Sequence, residues 1–80
     1  MNSIAKLKWR CRRGTKELDY LLEGYLDKYF NLAKSNEQSL FIELLTYQDD
    51  LLILYLLGNK VPDLVELAAL VKKIRTNPGL

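Results

Sequence analysis

Apolar residues that recur at three- and four-residue steps between residues 18 and 30 constrain this chain most. The repeating positions are Leu18, Leu21, Leu22, Tyr25, Leu26, Tyr29 and Phe30. Most of the positions between them are charged, namely Asp19, Glu23, Asp27 and Lys28, and Glu17 directly precedes the first of them. This spacing places the apolar side chains along one face of an α-helix and the charges on the other. The pattern therefore predicts a long amphipathic helix that must bury one stripe against the rest of the chain.

One further helix is predicted before this helix and one after it. The first follows Ser3 as N-cap and has an apolar face made of Ile4, Leu7 and Cys11. The third opens at residues 35–38, where Ser35 as N-cap and Gln38 at position N3 form a capping box. Its expected buried stripe is Leu40, Phe41, Leu44 and Leu45.

The last two helices follow from an apolar run and a proline. Residues 51–57 are apolar throughout, and a run this short fits a buried strand or a helix. We favour a helix, capped by Asp49 or Asp50, because the run is rich in leucine and no other segment could pair with a strand. Pro62 and Asp63 are expected to open the fifth helix, stopped by residues 77–79, with buried positions Leu64, Leu67, Ala68, Val71 and Ile74. The sequence thus predicts an all-α fold, a compact bundle of five short helices, as a single domain over residues 1–80.

The composition argues against catalysis. The chain has no histidine and one cysteine, Cys11. Ser-His-Asp and Cys-His chemistry are therefore excluded, and a zinc site is improbable. The sequence also lacks a glycine-rich phosphate loop, and Cys11 fits a small buried hydrophobe better than a reactive thiol. We expect a protein that is not an enzyme and that holds neither a metal nor a cofactor of its own.

Charge is distributed unevenly along the chain, although its net charge is only +2. Residues 1–16 carry six lysines and arginines and no acid, whereas residues 17–50 are strongly acidic. The basic segment could neutralise phosphates, so a small nucleic-acid-binding protein is an alternative function. Two observations disfavour it: the rest of the bundle is net acidic, and no helix-turn-helix spacing follows the basic helix.

Segments that would direct the chain to or through a membrane are not expected. The longest unbroken apolar run, residues 51–57, falls short of the roughly 20 residues that span a bilayer. No apolar segment follows the basic N-terminus, so a secretory signal is not expected either. These features predict a protein of the bacterial cytoplasm without membrane insertion.

The segment that joins the first two helices, residues 9–17, is here called the docking corner. Its Arg13-Gly14-x-x-Glu17 group has two interpretations. The pattern alone favours a structural one, in which Gly14 turns the chain, Arg13 caps one helix and Glu17 the next. Trp9 and Arg12 support the other, because large aromatic residues and arginine are enriched at protein interfaces. The sequence leaves two positions open for Trp9, one in the core and one at an interface.

Residues 9–19, WRCRRGTKELD, followed by the Leu- and Tyr-rich helix, resemble the succinate dehydrogenase assembly factor family. The hallmark of that family is an Arg-Gly-x-x-Glu motif, which is matched by Arg13, Gly14 and Glu17. The likeness continues over nearly the whole chain, through residues 41–45, Asp49 and the last helix. The chain departs from the family pattern at Tyr55, where many members have tryptophan, and in the turn at residues 58–60.

The resemblance implies a function that composition does not indicate. Members bind the flavoprotein subunit of succinate dehydrogenase, and in some bacteria that of fumarate reductase, while FAD is attached covalently to a histidine of that subunit. The FAD belongs to the partner, and the chemistry is largely the partner's own. A monomer that binds no nucleic acid is expected. Some relatives have been labelled the antitoxin of a membrane-associated toxin pair, which is a further alternative.

The resemblance also assigns roles to residues of this chain. Gly14 would give the partner clearance to approach, Arg13 would donate to partner carboxylates or carbonyls, and Glu17 would bind a partner cation. Supporting contacts are expected from Trp9, Arg12 and Asp49.

Overall fold

The computed structural model describes residues 4–76 of the chain. Its α-helices are α1 (Ile4–Arg10), α2 (Lys16–Lys28), α3 (Ser35–Leu44), α4 (Asp49–Leu56) and α5 (Val65–Arg75), and a 3₁₀ turn (Phe30–Leu32) joins α2 to α3. The predicted all-α fold of five helices is therefore confirmed. None of the described helices is long and apolar enough to cross a membrane. The expected cap at Ser3 and the expected stop at residues 77–79 lie outside the described residues.

Helix α2 is the central element, and it packs against α1, α4 and α5. Of the predicted stripe, the buried members are Leu18, Leu22, Tyr25, Leu26 and Phe30. Leu21 and Tyr29 pack against this core at its edge. Burial of each such side chain contributes roughly 1.5–3 kcal/mol. Helix α2 thereby fixes the position of its own N-terminal end, where the docking corner lies.

An aromatic cluster connects α2 to α3. The centre of the Tyr25 ring lies 4.6 Å from the centre of the Phe41 ring. The centre of the Phe30 ring lies 5.7 Å from the same point. The Tyr25 hydroxyl donates a hydrogen bond of 2.5 Å to Glu37 of α3, and Lys73 of α5 donates one of 3.2 Å to the same carboxylate. One carboxylate thus links three helices.

This link makes stability depend on pH. The hydrogen bond from Tyr25, and next the one from Lys73, hold the pKa of Glu37 below its ordinary value of 4.5. A carboxyl with a depressed folded-state pKa stabilises the protein above its unfolded-state pKa, and this contribution is lost as the pH falls through the folded-state pKa. We expect Glu37→Gln to lower the free energy of unfolding by about 1 kcal/mol at pH 7, and by less as the pH falls below 4.5.

Urea denaturation at a series of pH values from 7 down to 3.5 measures this difference. Glu66→Gln is the matched control, since Glu66 is an exposed acid in the first turn of α5. A gap between wild type and Glu37→Gln that stays constant over the whole series would contradict the assignment.

The predicted N-caps of α3 and α4 are wrong. Helix α3 includes Ser35 in its first turn, its N-cap is Lys34, and no side chain caps it. The amide of Gln38 instead donates to the carbonyl oxygen of Phe30 at 2.6 Å, so it is committed to the preceding 3₁₀ turn. Similarly, Gln48 is the N-cap of α4, whereas Asp49 and Asp50 lie within its first turn.

The other expectations for the last helices are mostly confirmed. Residues 51–57 lie in α4 and its C-cap, so the helical alternative is correct and the strand is not. Helix α5 begins at Val65, later than Pro62 and Asp63 indicated, and this leaves Leu64 exposed where it was expected to be buried. Leu70 is buried in the core although the sequence pattern did not select it.

Arg75 closes the C-terminal end of α4. Its guanidinium donates to the carbonyl oxygens of Tyr55 at 2.9 Å and of Gly58 at 2.5 Å. These carbonyls lie in the last turn of the helix and just beyond it, where no backbone N–H of the helix is left to donate. An arginine distant in sequence thus adds to the local backbone cap, in which the N–H of Gly58 donates to the carbonyl oxygen of Ile53 at 2.8 Å.

Cys11 is a buried hydrophobe, as expected. Its side chain is fully enclosed in the core. Burial, more than the nearby carboxylates, raises the pKa of Cys11 to about 12. The thiol is therefore protonated at neutral pH and is a poor nucleophile.

Candidate functional site

The docking corner is a tight turn between α1 and α2. At the end of α1 the backbone N–H of Cys11 donates to the carbonyl oxygen of Leu7 at 3.1 Å, and that of Arg12 donates to Trp9 at 3.2 Å. The chain then reverses at Gly14, which has a φ of +85°. This backbone conformation is sterically unfavourable for residues with a Cβ atom, and glycine adopts it readily. The turn therefore needs glycine at this position.

Asp19 of α2 holds the turn in place through a hydrogen bond to its backbone. Its carboxylate accepts a 2.6 Å hydrogen bond from the backbone N–H of Arg13. Because Asp19 lies one turn into α2, this bond ties the loop before Gly14 to the start of the helix after it. This role of Asp19 was not predicted, although an aspartate in the first turn of a helix often accepts a hydrogen bond from the backbone of the adjoining loop.

The side chain of Arg13 points into the protein. Its guanidinium donates to the carbonyl oxygen of Tyr47 at 2.9 Å, to the carbonyl oxygen of Leu45 and to the carboxylate of Asp49 at 3.3 Å. Only 15% of the side chain is exposed. Arg13 therefore caps the C-terminal end of α3 and the turn that leads to α4.

These contacts correct two expectations about Arg13. It does not cap the helix next to it in sequence, and the donors that were expected to reach partner carboxylates are bound within the chain. Asp49, expected to be a supporting contact, is half exposed and pairs with this guanidinium. The partner carbonyls of Leu45 and Tyr47 carry no signal in the sequence, because any residue supplies a carbonyl oxygen.

The remaining predicted residues of the corner are all exposed. Trp9 is 72% exposed, so a core position for it is excluded. The Arg12 guanidinium lies 6.0 Å from the centre of the Trp9 ring, at the outer limit of a cation–π contact. Glu17 is exposed in the first turn of α2, and the space beside Gly14 is open, with no atom within 4 Å of where a Cβ would lie.

The site thus has two layers. An inner layer, Arg13 with Asp19 and Asp49, holds the turn in place, and an outer layer, Trp9, Arg12, Gly14 and Glu17, faces solvent. The outer layer combines a large aromatic ring, one cation, one anion and accessible backbone. Such a surface is suited to binding another protein. Among residues 4–76 no group of three or more histidine, cysteine, aspartate or glutamate side chains is arranged to hold a metal ion.

A small helical bundle with an exposed corner that internal hydrogen bonds hold in place has the geometry of a protein-binding module. Comparison with known proteins identifies its family. A family described as "flavinator of succinate dehydrogenase" matches residues 5–78, and the chain belongs to this family. The resemblance seen in the sequence is therefore confirmed.

Several relatives carry the name "FAD assembly factor SdhE". The one from Coxiella burnetii is 40% identical over 70 residues, which cover 88% of this chain and 85% of the relative. The one from Xylella fastidiosa (strain 9a5c) is 40% identical over 76 residues, covering 95% and 78%. The one from Shewanella oneidensis is 36% identical over 73 residues, covering 91% and 89%. No solved structure gives a significant match.

Proposed function

We propose that this chain promotes the covalent attachment of FAD to the flavoprotein subunit of succinate dehydrogenase by binding that subunit through the outer layer of the docking corner. The observation that carries the proposal is the exposure of Trp9, Gly14 and Glu17 within one short segment, residues 9–17, in a chain that belongs to the flavinator family. Two of these residues, Gly14 and Glu17, are part of the Arg-Gly-x-x-Glu motif.

In this mechanism the chain contributes binding and orientation. The bond forms between FAD and a residue of the partner, and no group of this chain takes part in the reaction. A bound helper can hold the reacting groups of its partner in a productive geometry, an effect that can be worth several kcal/mol. The inner layer serves this purpose, because a surface that is rigid before binding loses less entropy on binding.

Each outer residue has a role suited to its chemistry. Trp9 supplies a large apolar contact with one polar atom, Gly14 lets a partner surface approach the backbone, and Glu17 supplies a carboxylate for a partner cation. Arg13 positions the corner instead of contacting the partner. A flavoprotein of the fumarate reductase type is a second proposed client, and the bacterial cytoplasm stays the predicted location.

Glu17 offers the sharpest test of the proposal. We expect Glu17→Ala to reduce the rate of flavinylation of the purified flavoprotein subunit by about tenfold or more, because a truncated interface contact at a hot spot costs about 2 kcal/mol or more. Covalent FAD is measured by its fluorescence in the denatured subunit. The free energy of unfolding should change by no more than about 1 kcal/mol, the usual contribution of a first-turn carboxylate.

Glu66→Ala is the matched control. Glu66 and Glu17 are each the second residue of a helix, and both are exposed, so their effects on helix stability should be alike. Glu66 lies in α5, away from the docking corner, and its removal should leave flavinylation unchanged. Equal flavinylation by wild type and Glu17→Ala, with both proteins folded, would remove Glu17 from the site.

A further inference from the structure

A shallow cleft next to the docking corner is lined mainly by arginines. Its volume is about 350 Å³, and its walls are Arg10, Arg12, Arg13, Leu45 and Thr46. It lies between the end of α1 and the turn after α3. The cleft opens beside the outer layer, since Arg12 belongs to both.

Two of the three arginines have no ion-pair partner among the described residues. Arg13 is paired with Asp49, and its two terminal guanidinium nitrogens donate to the backbone carbonyls of Tyr47 and Leu45. By contrast, neither Arg10 nor Arg12 forms an ion pair among residues 4–76. None of the residues that line the cleft is acidic. The cleft therefore presents two guanidinium groups without a counter-charge.

We infer that this cleft is an oxyanion-binding site that takes carboxylates of the flavoprotein subunit, with Arg10 and Arg12 as its ligands. The inference rests on the proposed function, and it adds the charge of the partner surface that faces α1: this surface is acidic. Guanidinium groups favour carboxylates because they can donate two parallel hydrogen bonds. The position of the cleft supports a protein partner, because a subunit seated on Trp9 and Gly14 would also cover it.

Charges of this kind act mainly on association. Exposed guanidiniums at the edge of an interface attract an oppositely charged partner over a distance of about one Debye length, roughly 8 Å at physiological ionic strength. Their removal is expected to slow association and weaken its salt dependence, with a smaller effect on dissociation. A desolvated contact at the centre of an interface affects dissociation instead.

The test compares binding rates of the purified flavoprotein subunit with wild type, with the double variant Arg10→Gln/Arg12→Gln and with the control Lys34→Gln/Lys60→Gln. Both control lysines are exposed and lie outside the cleft, and both double variants change the net charge equally. Surface plasmon resonance at 25, 150 and 500 mM salt gives the rates. We expect the arginine variant to associate roughly three- to tenfold more slowly at low salt, with a flatter salt dependence, and the lysine variant to follow wild type.

Different results of this experiment would refute the proposed function and the role of the cleft. Wild type that fails to bind the flavoprotein at any salt concentration would refute the proposed function, and the inference with it. Binding by wild type, with unchanged association and salt dependence in the arginine variant, would overturn the inference alone. An equal loss in both double variants would also overturn it, because the effect would then come from net charge.

A second arm addresses phosphate as the oxyanion. The free chain is titrated with FAD and with inorganic pyrophosphate, while the arginine Nε–Hε signals are followed by NMR. We expect no saturable shift of the Arg10 and Arg12 signals at millimolar concentrations. A saturable shift that the arginine variant lacks would mean that the cleft binds a phosphate group, which would overturn the assignment to partner carboxylates.

Discussion

Arg13→Ala is expected to lower the free energy of unfolding by about 2–4 kcal/mol. The truncation leaves the carbonyl oxygens of Leu45 and Tyr47 without their donor and Asp49 without its cation. Leu45 is buried, so water cannot fully replace the lost hydrogen bond. Arg13→Lys should recover part of this loss, since a single ammonium keeps the charge but cannot span both carbonyls. Chemical denaturation measures each value.

Arg12→Ala is the matched control for this prediction. Arg12 adjoins Arg13 in sequence, but its side chain is exposed and donates no hydrogen bond within the described residues. Its truncation should change the free energy of unfolding by at most about 0.5 kcal/mol. If Arg13→Ala were as stable as Arg12→Ala, the inner layer would not hold the docking corner together.

Gly14→Arg is expected to abolish flavinylation while the chain remains folded. The φ of +85° at Gly14 makes any side chain costly there, by about 1–2 kcal/mol. The space around the position is open, however, with no atom within 4 Å of where a Cβ would lie, so an arginine side chain can extend into solvent. It would project from the outer layer and prevent a partner from approaching the backbone. Circular dichroism reports the fold and covalent FAD reports the activity.

Gly14→Ala separates steric exclusion from backbone strain. Alanine and arginine share the strain at this φ, so the two variants should lose similar stability. Alanine adds only a methyl group, and it should retain most of the flavinylation activity at a temperature where both variants are folded. If Gly14→Ala were as inactive as Gly14→Arg, strain in the turn would account for the loss, and the outer layer would lose its main support.

Most of the fold could be predicted from the sequence because it follows from local periodicity. The stripe of α2 predicts which side chains are buried, and the leucine-rich run predicts α4. The caps could not be predicted, since Gln38 and Asp49 each have a tertiary alternative to the local cap. Gln38 binds the carbonyl of Phe30, and Asp49 pairs with Arg13.

The site was predictable only as a set of neighbours in sequence. Residues 9–17 had to lie close together, and the aromatic, arginine and glycine residues indicated an interface. The direction in which each side chain points depends on the groups that the rest of the fold places next to the turn. Arg13 points inward because the end of α3 offers carbonyls in need of a donor. Those carbonyls are more than 30 positions away in sequence, and no pattern in the sequence identifies them.

The central claim is that the outer layer of the docking corner binds the flavoprotein subunit. The most direct test is isothermal titration of the purified subunit with wild type, Gly14→Ala and Gly14→Arg. We predict that Gly14→Arg binds at least about tenfold more weakly than wild type and that Gly14→Ala stays within about threefold. Equal affinities for wild type and Gly14→Arg would show that the partner binds elsewhere on the bundle, which would contradict the claim.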